Sequence, residues 1–191
     1  MEWALLADGV PRDEIYTVLD TEKGLERAFR SLDRVRAHLV WWSGGSEGPQ
    51  LVDRGVVTMG SAWNGRVYGL NEQGGQVGMI WDAHLLTLDV WSILRGSDRR
   101  EEALRFIRFA TGSEALARQA HEIPYGPARR SALSLIPEEL QSELPASPKR
   151  QSQGIIIDYQ WWAANGAEIE ARFEEWLAQK PVYDFHQPDR N

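Results

Sequence analysis

The 191-residue chain contains no cysteine. That excludes disulfide staples, thiolate metal sites and cysteine nucleophiles, and it leaves the compartment open. No apolar run approaches the roughly 20 residues that a membrane-spanning helix needs. Histidine is scarce. His38, His84, His121 and His186 show no metal-ligand spacing, so neither a metal nor a cofactor is expected. Basic residues are outnumbered, with 21 Lys and Arg against 28 Asp and Glu, for a formal net charge of −7. Binding to a phosphate backbone rests on clustered Lys and Arg. Arg99, Arg100, Arg105 and Arg108 read instead as the solvated face of a helix, so no nucleic-acid partner is expected. The glycine pairs Gly44-Gly45 and Gly74-Gly75 match neither the phosphate-binding loop nor the dinucleotide fingerprint. Met1 to Val10 carries Glu2 and Asp8 without a basic leader, so it does not read as a signal peptide.

What the chain has in excess is tryptophan: Trp3, Trp41, Trp42, Trp63, Trp81, Trp91, Trp161, Trp162 and Trp176. An indole offers a broad apolar face and one donor, so it serves either a core or a ligand-stacking wall, the core being the commoner use. Apolar residues make up 42% of the chain, enough for a sizeable core.

Helical periodicity is clearest in three places. "TEKGLERAFRSLDRVRAHL" places Leu25, Phe29, Leu32 and Val35 on one face, with Thr21 as N-cap. "SDRREEALRFIRFATG" has Ser97 as N-cap, Glu101 and Glu102 near its start and Gly112 as its stop. "GAEIEARFEEWLAQ" is amphipathic. Shorter helices are expected at Glu2 to Asp8, in "DEIYTVLDT", in "PQLVDRG" up to Gly55, in "NGRVYGLNEQGG" as a turn entering a short helix, in "SEALARQAHEI" behind Ser113, and around Glu138 to Leu144. Strands are expected at Leu39–Trp42, "VVTMGSAW", "QVGMIW" and Leu85–Leu94. Helices alternating with short strands give an α/β class in which helices cover a sheet.

The ordered series "WALLADGV", "LVWW", "SAWNGRVYG", "LDVWSIL", a helix ending in "FATG", "EIPYGPARRSA", Trp161-Trp162 and "ARFEEWL" resembles the second half of spermidine/putrescine-type solute-binding proteins of ABC importers. These belong to the type II periplasmic-binding-protein superfamily. The resemblance covers nearly the whole chain. It implies two α/β lobes hinged about a ligand cleft, with residues 1–83 in the C-terminal lobe. Residues 84–132 would then form the hinge and part of the N-terminal lobe, and 133–180 would return to the C-terminal lobe. A loose tail would occupy 181–191. Most of the N-terminal lobe has no counterpart here. A separate N-terminal half, ABC permease subunits and a small amino compound are the partners it implies, with a periplasmic or extracellular location.

The same resemblance carries site roles onto matching positions. Trp63 in "SAWNGR" corresponds to an aromatic cleft wall, Asp89 in "LDVW" to a carboxylate that receives a ligand ammonium, and Tyr125 in "PYG" to a cleft-lining aromatic. Trp91, two residues after Asp89, would share its strand face. Arg66 departs from the polyamine pattern, which offers a second carboxylate three residues after the tryptophan. A diamine needs an anion at each end, because an unpaired buried ammonium is very costly. Arginine would repel that end, whereas it holds a carboxylate through two parallel hydrogen bonds. Arg66 and Asp89 therefore suit a 4-aminobutyrate-like zwitterion better than a polyamine, with the indole face covering the methylenes.

Two other classes compete. Asp82, Asp89 and Glu122 could pair for hydrolysis, but no nucleophile or metal motif accompanies them, so no enzyme is expected. A free-standing lobe would expose apolar surface suited to a protein partner.

Overall fold

A computed structural model describes residues 1–179; the tail expected to be loose lies outside the described residues. In chain order the helices begin with α1 (Glu2–Ala7), α2 (Ile15–Leu19), α3 (Glu22–Asp33), α4 (Glu47–Asp53) and α5 (Asn64–Asn71). Strand β1 (Leu85–Leu86) precedes α6 (Arg100–Ala110), α7 (Ser113–Glu122), α8 (Arg130–Leu133), α9 (Glu138–Glu143) and α10 (Pro148–Gln153). Strand β2 (Ile155–Ile156) and the long α11 (Tyr159–Ala178) complete the order. They group into two compact units, one of Met1–Ser43 with the segment from Ile157, the other of Gly44–Ile156. This grouping follows contacts within this chain and differs from the boundaries at 83 and 132, which refer to lobes of a longer fold.

In the first unit the core is built from Leu5, Ile15, Leu19, Leu25, Ala28, Ile169 and the rings of Trp161 and Trp176. Helix α3 starts where the sequence places it, since Thr21 Oγ1 accepts a hydrogen bond from Gly24 N at 3.0 Å. Helix α11 starts earlier than its periodic stretch suggests. Asp158 caps it, accepting from Gln160 N at 3.0 Å and Trp161 N at 2.9 Å. Paired side chains then tie the helices together. Trp161 Nε1 donates to Asp20, Trp162 Nε1 to Glu2 and Trp176 Nε1 to Asp33, at 3.1, 2.7 and 3.0 Å.

The second unit has a smaller core of Ala117, Ala120, Ile136 and Leu144, with Leu133 and Leu140 against it. Gln141 Nε2 donates to the carbonyls of Leu133 and Ile136, fastening α9 to the turn before it. Gly55 has φ +69°, the left-handed stop expected after α4. The caps expected for α6 and α7 are corrected. Arg99 occupies the N-cap of α6, and Ser97 Oγ accepts from Arg99 N at 3.3 Å, ahead of the helix. Gly112 is the N-cap of α7, while Ser113 Oγ hydrogen-bonds Ser131 Oγ.

The strand expectations need the largest correction. Among the described residues, the sheet is the parallel pair Leu85–Ile155 and Leu86–Ile156. Leu39–Trp42, "VVTMGSAW", "QVGMIW" and the stretch after Leu86 form no strand. Their composition is β-prone, but a strand is completed by a ladder, and β-propensity reports packing against neighbours more than backbone preference. Here no partner strand is present for them among the described residues. Their large side chains accordingly stay in water: Met59, Ile80, Leu88, Val90 and Leu94 are all exposed. The sequence reading also omits β2, whose isoleucines are too few to form a run.

Candidate functional site

Helix α5 organises the candidate site. Trp63 is its N-cap residue, in extended conformation (φ −74°, ψ 133°), and its carbonyl accepts from Arg66 N at 2.9 Å. The indole of Trp63 and the guanidinium of Arg66 lie near Gly45. A Cβ built on Gly45 would overlap Trp63 Cζ3, lie 2.9 Å from Cε3 and 3.6 Å from Arg66 Nε. Trp63 is 54% exposed, so about half of its surface meets solvent. Arg66 is also exposed, and its guanidinium has no hydrogen bond or ion pair among the described residues.

Tyr125 reaches the same turn from the loop after α7. Tyr125 N donates to Ile123 O at 2.6 Å across the buried Pro124, a γ-turn for which the proline ring presets φ. Asn64 Nδ2 donates to Pro124 O at 2.7 Å, so the first residue of α5 holds that turn directly. A Cβ on Gly65 would lie 2.5 Å from Tyr125 Cζ and 2.7 Å from its Oη, so the phenol rests on bare backbone. Trp63, Arg66 and Tyr125 are thus brought together around the first turn of one helix.

Asp89 and Trp91 are placed otherwise. Neither belongs to a strand, because the ladder ends at Leu86; the shared strand face expected for them is corrected on that ground. Asp89 is exposed and without a hydrogen bond or ion pair among the described residues, so water solvates it. Trp91 is 58% exposed and meets Phe106 of α6 edge-on, with centroids 5.2 Å apart. No hydrogen bond or ion pair joins Arg66 to Asp89.

The strained backbone lies nearby in sequence. Ala83 has φ +58°, unusual for a residue with a Cβ, and donates its N–H to Gln153 O at 2.8 Å. His84 Nδ1 donates to the Trp81 carbonyl at 2.7 Å, and the His84 carbonyl accepts from Ile155 N at 2.8 Å. These bonds fix the approach of β1 to β2.

Asn64, Gly65 and Gly45 are neighbours of the site that sequence reasoning passed over. "NG" reads as a turn signal and "SGG" as a flexible loop, and neither announces a ring seated upon it. No group of His, Asp and Glu able to hold a metal occurs among the described residues. A half-exposed indole, a phenol and an unpaired guanidinium can together hold a small anionic or zwitterionic molecule with an apolar stem.

Comparisons with known proteins agree on a family. Residues 1–148 match the family described as bacterial extracellular solute-binding protein. A gamma-aminobutyric acid-binding protein of Pseudomonas aeruginosa is 34% identical over 179 residues, covering 94% of this chain and 51% of that protein. The structure of a GABA receptor superposes with a TM-score of 0.81 at 31% identity, over 95% of this chain and 55% of the other. An ABC transporter substrate-binding protein from Bradyrhizobium japonicum superposes with a TM-score of 0.85 at 31% identity, over 92% and 54%. The chain spans about half the length of the relatives it matches. These relatives are substrate-binding transport components, not enzymes. The fold is α/β of the periplasmic-binding-protein kind, as the sequence suggested. Among the described residues, no helix is long and apolar enough to cross a membrane.

Proposed function

The chain belongs to the bacterial extracellular solute-binding protein family, and from that premise we propose that it carries ligand-contacting residues of an ABC importer's binding protein for a 4-aminobutyrate-like zwitterion. The observation that carries this reading is the unpaired Arg66 guanidinium near the half-exposed indole of Trp63. A ligand carboxylate takes both forks of the guanidinium. Its methylenes lie on the indole, and Tyr125 closes the side. Asp89 supplies the anion for the ligand ammonium when the segment after β1 is drawn towards the wall. The GABA-binding names of two relatives support this class over a polyamine. A polyamine would bring a cation against Arg66 at one end.

Ala83 and the β1–β2 pair are the hinge of this proposal. Hinges are loop or element-terminal residues that absorb changes of φ and ψ, and Ala83 stands just ahead of a two-residue ladder. Delivery to ABC permease subunits, and a location outside the cytoplasmic membrane, follow from the family role. The rest of the family fold, in the same or a separate polypeptide, covers the β-prone segments that lie exposed here. That exposed apolar surface also favours a second reading, in which the chain is an interaction module without ligand transport.

Titration calorimetry of the chain with 4-aminobutyrate, putrescine and spermidine decides between them. The expected outcome is heat with 4-aminobutyrate only, weakened by about 100-fold or more in Arg66→Ala, the loss associated with a charge-assisted bidentate contact. Putrescine binding that Arg66→Ala strengthens would reverse the ligand assignment. Self-association with no response to any of these compounds would favour the interaction module.

A further inference from the structure

We propose that Gly45, Asn64 and Gly65 are positioning residues that set the orientation of Trp63 and Tyr125, two glycines by the side chain they lack and the asparagine by a hydrogen bond. The ligand arm of this inference rests on the binding reading above; its structural arm does not.

Gly65 is the clearest case. It is the second residue of α5 and its φ lies outside the left-handed region, so the backbone there does not require glycine. Alanine inside a helix is favoured over glycine by about 1 kcal/mol. What alanine would displace is the phenol: a Cβ would lie 2.5 Å from Tyr125 Cζ, 2.7 Å from its Oη and 2.7 Å from Ile123 Cγ2. Tyr125 therefore occupies the space that a side chain at position 65 would take.

Asn64 holds the other end of this arrangement. Its amide donates to Pro124 O at 2.7 Å across sixty positions of sequence, and Pro124 is the centre of the γ-turn that delivers Tyr125. Gly45 plays the corresponding part for Trp63. Any Cβ there meets the six-membered ring of the indole and comes within 3.6 Å of Arg66 Nε. Because such a Cβ falls on the ring of a half-exposed side chain, an alanine at 45 makes the indole shift. The substitution thus changes orientation at the wall more than it changes folding. The spacing between indole and phenol, and with it the length of stem the wall accepts, is written in these three positions.

The test labels the chain with 5-fluorotryptophan or 3-fluorotyrosine and follows ¹⁹F resonances without ligand, assigning Trp63 and Tyr125 by Trp63→Phe and Tyr125→Phe. Gly45→Ala is expected to move the Trp63 resonance. Gly65→Ala and Asn64→Ala are expected to move that of Tyr125, each with a cooperative thermal transition retained. With 4-aminobutyrate, Gly65→Ala is expected to weaken binding by about tenfold or more, and to have no further effect when Tyr125→Ala has already removed the ring. Unmoved resonances in the glycine variants overturn the proposal. So does a Gly65→Ala loss of equal size with and without the Tyr125 ring. If the resonances move as stated while the unsubstituted chain binds none of the compounds, the positioning stands and the binding reading fails.

Discussion

Three tryptophans of one compact unit and two of the other are used in opposite ways. In the unit of residues 1–43 and 157–179, Trp161, Trp162 and Trp176 direct their N–H groups at Glu2, Asp20 and Asp33. A buried indole must find an acceptor, and a carboxylate is the strongest one available. In the unit of residues 44–156, Trp63 and Trp91 show most of a face to water. Burial turns the indole into a pin between helices, whereas exposure leaves it as a wall. The difference predicts that the pinned indoles carry stability and the exposed ones carry recognition.

The sharpest way to break that comparison is to cut side chains of similar chemistry in each. Leu5 is fully buried in the first unit, while Leu94 is 83% exposed in the second. Leu5→Ala is expected to cost about 2–5 kcal/mol, the transfer term plus the cavity it leaves. Leu94→Ser is expected to stay within about 0.5 kcal/mol. Chemical denaturation of both variants checks this, and equal losses would erase the distinction.

Next in size is the Glu2 cluster. Glu2 is 3% exposed and accepts from Tyr16 Oη at 2.8 Å and Trp162 Nε1 at 2.7 Å. Glu2→Leu leaves those donors unsatisfied and is expected to cost about 1–3 kcal/mol. Burial alone pushes the Glu2 carboxyl up. The terminal ammonium, the backbone amide and the two side-chain donors outweigh burial and hold it below its ordinary value. Asp8 is likewise held low by hydrogen bonds from Arg27 and Arg34. For both, the stabilising contribution is complete above the unfolded carboxylate value of about 4 and is lost as pH falls through the lower folded value. Tyr16 works in the other direction. Burial first, then the neighbouring Glu2, raises its phenol to about 12. Its contribution is present below the unfolded value of about 10 and is lost as pH rises from there through the folded value. Melting temperature against pH is expected to fall on both sides, with the alkaline fall reduced in Tyr16→Phe.

How much of this the sequence displayed depended on where the determining partner lies. Helices α3, α6 and α11 could be read because their signals are local: periodic apolar residues, acids in the first turn, and glycine after α4. The carboxylate–indole pins could not, because Glu2 and Trp162 are joined only by folding. The strands were misread for the same reason in reverse. "QVGMIW" looks like a strand by composition, yet the second half of the requirement, a neighbour to pair with, is not a property of the segment. At the site, ordered motifs indicated Trp63, Arg66 and Tyr125, and the first turn of α5 brings them together. Asp89 was expected in an apolar strand that would demand a partner, and it lies in water instead. Gly45 and Gly65 were invisible, since a missing side chain marks a seat only once the ring above it is known.

The smallest expected effect compares two predicted caps, one in each unit. Thr21 and Ser97 carry the same sequence signal, a hydroxyl ahead of a periodic run. Thr21 Oγ1 accepts from Gly24 N at 3.0 Å and satisfies a donor that α3 leaves open. Ser97 Oγ accepts instead from the N–H of Arg99, the N-cap residue itself, at 3.3 Å, and reaches none of the donors of the first turn inside α6. Thr21→Ala is therefore expected to cost about 1 kcal/mol, and Ser97→Ala no more than about 0.5 kcal/mol. Denaturation midpoints at a common slope measure both. A loss at Ser97 as large as that at Thr21 would mean that α6 begins at the serine, and that its first turn forms as its composition alone suggests.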